Sequence, residues 1–318
     1  MAEDIKNTSV RSDQFRFWGI LSLYMGIFMI PSGLLGLLEL TSDSMAFLGT
    51  GFFAIAFGLF LSPKTKFSSD LKARDGFIMV TCGWLIGSVW AALPYWFAGV
   101  VDTPVDAIFE AISGLTTTGA TIFNDVESLP KSILLWRSVT QWLGGMGIIL
   151  IAVAILPTLG AGGSQLFAAE VPGLSVERLS PRIATTARLL WVVYAVLTVL
   201  EALLLWRFGY GMGLFDAINH ALTTMATGGF STKNASAGAF GPLDQWIMII
   251  FIFAAGTNFT LHYRALTGQP IFYWKSEEFR VYLGMIIVVT SIVTALLFME
   301  GDRTFEHALR ASAFQVVS

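Results

Sequence analysis

Two short runs carry the residue types and spacing best suited to chemistry. Asp106-Ala107-Ile108 leads to Thr117-Thr118-Gly119, and Asp216-Ala217-Ile218 leads to Thr227-Gly228-Gly229, so that position n matches n+110. Threonine and glycine supply no acid, base or activated nucleophile. They supply closely spaced backbone carbonyls, which can replace the water around a cation when a loop dips into a bilayer. A repeat of this kind, set between hydrophobic segments, points to ion conduction.

Such a loop needs an element to carry it. Thr103-Pro104 has the form of a helix start, with threonine as N-cap and proline in the first turn, and residues 103–115 are helical in pattern. At about 1.5 Å per residue this helix reaches about 20 Å, too short to cross hydrocarbon about 30 Å thick. It is expected to enter and stop. Thr116-Thr117-Thr118-Gly119-Ala120-Thr121 is polar and β-branched, a poor continuation of a helix. Non-helical backbone at membrane depth persists only when buried in protein or lining water. The carbonyl end of the half-helix favours a cation, and Gly119 permits the positive φ that aligns successive carbonyls. Residues 215–225 followed by 226–232 repeat the plan, and each copy is followed by a proline, Pro130 or Pro242, and a hydrophobic span. Phe305 to Ser318 reads as the start of a third half-helix.

Composition agrees. Of the 318 residues 55% are hydrophobic and 13% charged, and the mean hydropathy is +0.69, whereas a soluble domain carries about twice that charged share. The chain is expected to be an all-α integral membrane protein. Candidate spans fall at 17–39, 45–62, 76–100, 132–157, 185–208, 244–266 and 279–299. Alternate connections hold 13 of the 19 Lys and Arg residues, which places the N-terminus in the cytoplasm and both Thr/Gly loops outside. A net charge of −3 without a basic block argues against nucleic acid as a partner. Most tryptophans fall near span ends, as ordinary interfacial anchoring requires. The leading residues lack a cleavable signal pattern, so the first span is expected to remain.

Other residues have plainer readings beside functional ones. Asp102, Asp106, Glu110, Asp125, Glu127 and Asp216 could concentrate cations by their field, or serve as helix-start and loop charges. Arg137 and Gln141 share a helix face and read as braces against the half-helices. Gly144, Gly145 and Gly147 allow close helix approach. Asn258 interrupts an apolar span and needs a partner in a neighbouring helix or broken backbone. Cys82 reads as a buried spectator, and His220, His262 and His307 lack metal-ligand spacing, so no transition metal is expected. The spans hold almost no catalytic groups apart from Glu201, which argues against an enzyme. A secondary carrier for another cation or a small organic solute stays open as the alternative.

The runs Thr116 to Thr121, Arg137 to Ile149 ending in Ala154-Ile155-Leu156-Pro157, Ala169-Glu170-Val171-Pro172-Gly173, Gly229-Phe230-Ser231-Thr232 and Asn258-Phe259-Thr260-Leu261-His262 closely resemble TrkH-type potassium uptake proteins of the Trk/Ktr/HKT superfamily. The resemblance implies membrane–pore-loop–membrane repeats with re-entrant half-helices around a pseudo-fourfold pore, preceded by an extra N-terminal helical hairpin. By that pattern residues 1–62 are the hairpin, 63–160 the first pore-loop repeat, 161–270 the second, and 271–318 the start of a third, so the sequence reads as the N-terminal part of a longer protein. The implied K⁺ ligands are backbone carbonyls of Thr117, Thr118, Thr227 and Gly228, with Gly119 and Gly229 as filter glycines. Plant relatives with serine at the first glycine pass Na⁺, so Gly119 favours K⁺. The resemblance further implies a homodimer in the bacterial inner membrane, K⁺ as the transported ion with no tightly bound cofactor, and a cytosolic TrkA-type nucleotide-binding partner facing residues 63–75, 158–184 and 267–279.

Overall fold

A computed structural model describes residues 2–62, 73–155, 182–301 and 304–318, and they are helical with no strand among them. The Ala169-to-Gly173 run and most of the segments expected to face the cytosolic partner at 63–75 and 158–184 lie outside the described residues. The chain forms two compact units, Met1–Ala187 and Arg188–Ser318.

In the first unit α1 (Ala2–Leu38) and α2 (Asp43–Leu61) form the expected hairpin. Glycines set its closeness: a Cβ on Gly26 would lie 2.5 Å from the Gly51 carbonyl oxygen, and one on Gly58 2.6 Å from that of Gly19. Apolar helices in a bilayer gain nothing from hiding from lipid, so backbone approach of this kind supplies the packing contact. Next come α3 (Ala73–Phe97), the short α4 (Pro104–Leu115) and α5 (Lys131–Ile155). Trp136 of α5 donates its indole N–H to the Ala91 carbonyl of α3 at 3.0 Å, both buried. Ser132 of α5 donates to the Asp43 carboxylate at the start of α2.

In the second unit α6 (Arg182–Phe208) leads to the short α7 (Leu214–Met225), a 3-10 turn at Ser236–Ala239, and α8 (Pro242–Ala255). Leu205, Met212, Ala217, Ala237, Met248 and Ile252 form its core. The single span expected at 244–266 is instead broken. α8 ends at Ala255, α9 (Phe259–Leu266) begins after a break of three residues, and the two meet at 101°. Asn258 caps α9, its Oδ1 accepting from the Thr260 N–H at 3.0 Å, while its Nδ2 donates to Glu278 at 3.4 Å. His262 closes the break from the other side. Its Nε2–H donates to the Ala254 carbonyl at 2.8 Å and its Nδ1 accepts from the Tyr273 hydroxyl at 2.7 Å. Both polar side chains serve backbone freed by the break, as the low-dielectric setting requires.

After α10 (Phe272–Lys275) and α11 (Glu277–Met299), α12 (Phe305–Val317) is the expected third short helix, capped by Thr304, which accepts from the His307 N–H at 3.3 Å. Among described residues five helices are long and apolar enough to cross a membrane, or six with the bent pair.

Candidate functional site: two strapped Thr/Gly loops

The site begins with the cap of α4. Thr103 is extended, accepts from the Asp106 N–H at 3.2 Å and donates to the Asp106 carboxylate at 2.8 Å. Twelve residues then run about 18 Å at the ordinary rise before the helix stops at Leu115.

The two loops leave their helices in the same way, residue for residue at the offset of 110. Thr118 N–H bonds the Ser113 carbonyl and Gly228 N–H bonds the Thr223 carbonyl, both at 2.9 Å. Thr117 N–H bonds Gly114 at 3.0 Å and Thr227 N–H bonds Thr224 at 2.9 Å. This pair of crossed bonds is the Schellman ending, which needs its C′ residue in the left-handed region. Thr117 sits there at φ 55° and Thr227 at φ 52°. A β-branched residue in that conformation is strained, at a cost of about 1–3 kcal/mol. Two residues on, Gly119 at φ 77° and Gly229 at φ 82° repeat the turn of the chain. A Cβ on Gly229 would meet nothing within 4 Å, so its φ, and not lack of space, requires glycine there.

Sequence reasoning named both the threonines and the glycines, but placed the positive φ only at glycine and missed it at Thr117 and Thr227. Glycine at a positive φ is the common solution, and nothing in a Thr-Thr-Thr run signals that the middle residue takes it.

Behind the first loop lies a buried ionic strap. Glu110 is fully buried and Arg137 is 1% exposed, with Arg137 Nε donating to Glu110 Oε1 at 2.8 Å. The same carboxylate accepts from Thr121 Oγ1 at 2.9 Å and, through Oε2, from the Ile122 N–H at 3.1 Å. Arg137 also donates to Thr121 Oγ1 at 3.1 Å, and Ser113 donates to the Ala120 carbonyl at 2.5 Å. The loop is therefore fastened from residues 120 to 122. Bracing by Arg137 agrees with the sequence reading, whereas Glu110 lies in the interior and takes no part in any outer field of carboxylates.

The second loop has the same strap in different chemistry. His220 stands at the position of Glu110 and Ser231 at that of Thr121, with Nε2 and Oγ 3.0 Å apart. The imidazole Nδ1–H donates to the Asp216 carbonyl at 2.8 Å, so Nε2 is the acceptor and Ser231 the donor. Burial, the largest influence, holds this imidazole below its ordinary range. Thr232 donates to the Asp216 carboxylate at 2.6 Å.

Fastening from behind leaves the strained turns themselves open. Thr118 and Thr227 are exposed, Thr117 is half-exposed and Gly228 is buried. Among the described residues nothing donates to the carbonyls of Thr117, Thr118 or Thr227. Such carbonyls need water or a cation. At the end of a helix they also carry the negative end of its dipole, which favours the cation.

Gly144 of α5 fixes the depth of the first loop. A Cβ there would lie 2.7 Å from the Leu115 carbonyl carbon and 3.0 Å from Leu115 Cα, and nearer still to the carbonyl oxygen. Gly147, by contrast, has only ordinary contact, 3.6 Å to Trp84.

Residues 43–301 match the family model described as TrkH, cation transport protein. The chain is 44% identical over 312 residues to the Trk system potassium uptake protein TrkH of Salmonella typhimurium, covering 95% of this chain and 64% of that protein. It is 39% identical over 267 residues to TrkG of Escherichia coli K12, covering 81% and 54%. Among solved structures it is similar to the potassium transporter TrkH of Vibrio parahaemolyticus, with a TM-score of 0.83 and 35% identity over 96% of this chain and 63% of that one. The chain thus spans somewhat under two thirds of the length of these relatives.

Proposed function

The chain belongs to the TrkH cation transport family, and we propose that it takes part in potassium uptake across the bacterial inner membrane. The carbonyls of Thr117, Thr118, Thr227 and Gly228 stand in for the water of a dehydrated K⁺, and Gly119 and Gly229 let the chain present them. The observation that carries this reading is the repeated strained ending of two half-helices. Strain of this size persists where a site over-determines it, and here it is stored twice at the residues whose carbonyls are unclaimed.

Cargo enters as substrate and no resident cofactor is invoked. The protein acts as a pore and not as an enzyme. The naming of the relatives as Trk system proteins supports a cytosolic TrkA-type nucleotide-binding partner, and the family resemblance supports a homodimer with the N-terminus in the cytoplasm. The third short helix, α12, is the start of a third pore-loop repeat. Its Arg310 donates to Glu306 at 2.9 Å and also to Gln245 of α8, fastening it to the second repeat much as Arg137 fastens α4.

The test is radioactive rubidium uptake by cells lacking other potassium systems, transformed with the full gene. Uptake is expected, and Gly119→Ser is expected to lower the preference for K⁺ over Na⁺. An unchanged flux ratio would refute the role of Gly119, and absence of uptake would favour a carrier for another solute.

A further inference from the structure

Resting on that potassium reading, we propose that His220 is a positioning residue for the second loop that works only as a neutral imidazole, so that external acid releases the loop and lowers cation flux.

The two straps are equivalent in place and unequal in chemistry. Thr121 Oγ1 accepts the Phe123 N–H at 3.2 Å and hangs on Glu110; Ser231 Oγ accepts the Lys233 N–H at 3.0 Å and hangs on His220. Glu110 is neutralised by Arg137. The charged groups acting on His220 are Asp216, on its own helix, and Lys233, on the loop. Asp216 is engaged by Thr232, and Lys233 opposes a second positive charge. From the turn before α8 the ring meets Phe240, edge to face at 4.8 Å between centroids, and Asp244 of α8 is turned to the Gly241 N–H at 3.1 Å. His220 itself is 4% exposed.

Proton placement follows from these bonds. The Asp216 carbonyl can only accept, so Nδ1 carries the hydrogen and Nε2 must accept from Ser231. Adding a proton turns Nε2 into a donor facing a hydroxyl that already accepts from Lys233. The Ser231 hydroxyl then loses the acceptor to which it now donates. Because the folded imidazole sits below its ordinary value of 6.5, the unfolded chain binds more protons in acid. The strap is intact above that value and weakens as pH falls beneath it.

Rubidium uptake by the full-length protein is measured against external pH, alongside thermal stability of the purified protein over the same range. Wild type is expected to lose flux and stability as pH falls below the ordinary imidazole value. His220→Gln keeps an acceptor and a donor but cannot titrate, and is expected to lose the acid limb while retaining flux at neutral pH. Ser231→Ala removes the hydrogen that favours the neutral ring, and is expected to move the limb to higher pH. An acid limb unchanged in His220→Gln, or unmoved in Ser231→Ala, would overturn the proposal. If wild type carries no rubidium at any pH, the potassium reading fails, and the stability curves still decide the strap: equal curves for wild type and His220→Gln overturn it, and a flattened curve for the variant upholds it.

Discussion

Gly144→Ala is the sharpest perturbation the structure offers. The added methyl would lie 2.7 Å from the Leu115 carbonyl carbon and nearer still to its oxygen, where ordinary contact begins at 3.4 Å, so backbone has to yield by more than about 0.7 Å. No flexible side chain can absorb the shift, because the three nearest atoms all belong to the Leu115 backbone. Overpacking of this kind costs about 1–3 kcal/mol. Relief comes from moving either α5 or the end of α4. The first is resisted by Trp136 on Ala91 and by Arg137 on Glu110, both about two turns from Gly144. The displacement therefore passes to Leu115, two residues before Thr117. A misplacement of the order of 1 Å at a site that depends on fixed geometry costs about a hundredfold in function. The assay is rubidium uptake, with the sodium-to-potassium flux ratio read beside the melting temperature. Gly147→Ala serves as the control, since its methyl would meet only Trp84 at 3.6 Å. Gly144→Ala is expected to lose flux or selectivity while Gly147→Ala keeps both. Equal transport by the two variants would refute the claim that α5 sets the depth of the loop.

Removing one partner of the Glu110–Arg137 pair strands a charge among buried groups, so Glu110→Ala is expected to cost about 3–5 kcal/mol in thermal unfolding, whereas Glu110→Leu with Arg137→Met recovers most of that stability; equal losses in the single and double variants would show that the pair is not what is broken. Asn258→Ala removes the cap of α9 and is expected to cost about 0.5–2 kcal/mol, seen as faster amide exchange at Thr260 and Leu261, with Asn258→Ser restoring protection. Unchanged exchange in Asn258→Ala would mean that Glu278 or His262 alone holds the break.

Much of this architecture was legible because the signals were local. Thr103 and Pro104 announce the start of α4, and the repeated Asp-Ala-Ile register places α7 without any reference to the first loop's contacts. What stayed hidden depended on distance or on averaging. Glu110 reads as an exposed acid on an outer helix, because its partner Arg137 lies 27 residues further on and only folding brings them together. The break in the sixth span was masked by the apolar residues around it. Three residues, Gly256 to Asn258, hardly alter a window of about twenty, yet they turn the chain through 101°. Asn258 was the available signal, since an amide in an apolar run must find a partner, and the partner proved to be the α9 backbone at Thr260.

The comparison between the two loops bears on what the repeat conserves within this one chain. Side chains have diverged: a glutamate stands opposite a histidine, Thr118 opposite Gly228, and an arginine braces one strap only. Backbone has not. The same crossed hydrogen bonds close both helices, and the left-handed residues fall at the same two places, 117 and 119 in one loop, 227 and 229 in the other. If the loops served only to turn the chain, glycine at the first of those places would remove a strain of about 1–3 kcal/mol from each. Threonine there is better explained by a site that reads backbone oxygen and needs its position held stiffly, since a glycine in the same turn would admit other conformations. On that account Thr117→Gly should raise thermal stability by relieving φ while lowering the preference for potassium over sodium, two effects of opposite benefit from one change. A variant that gained stability and kept full selectivity would show that the strain is incidental to ion recognition.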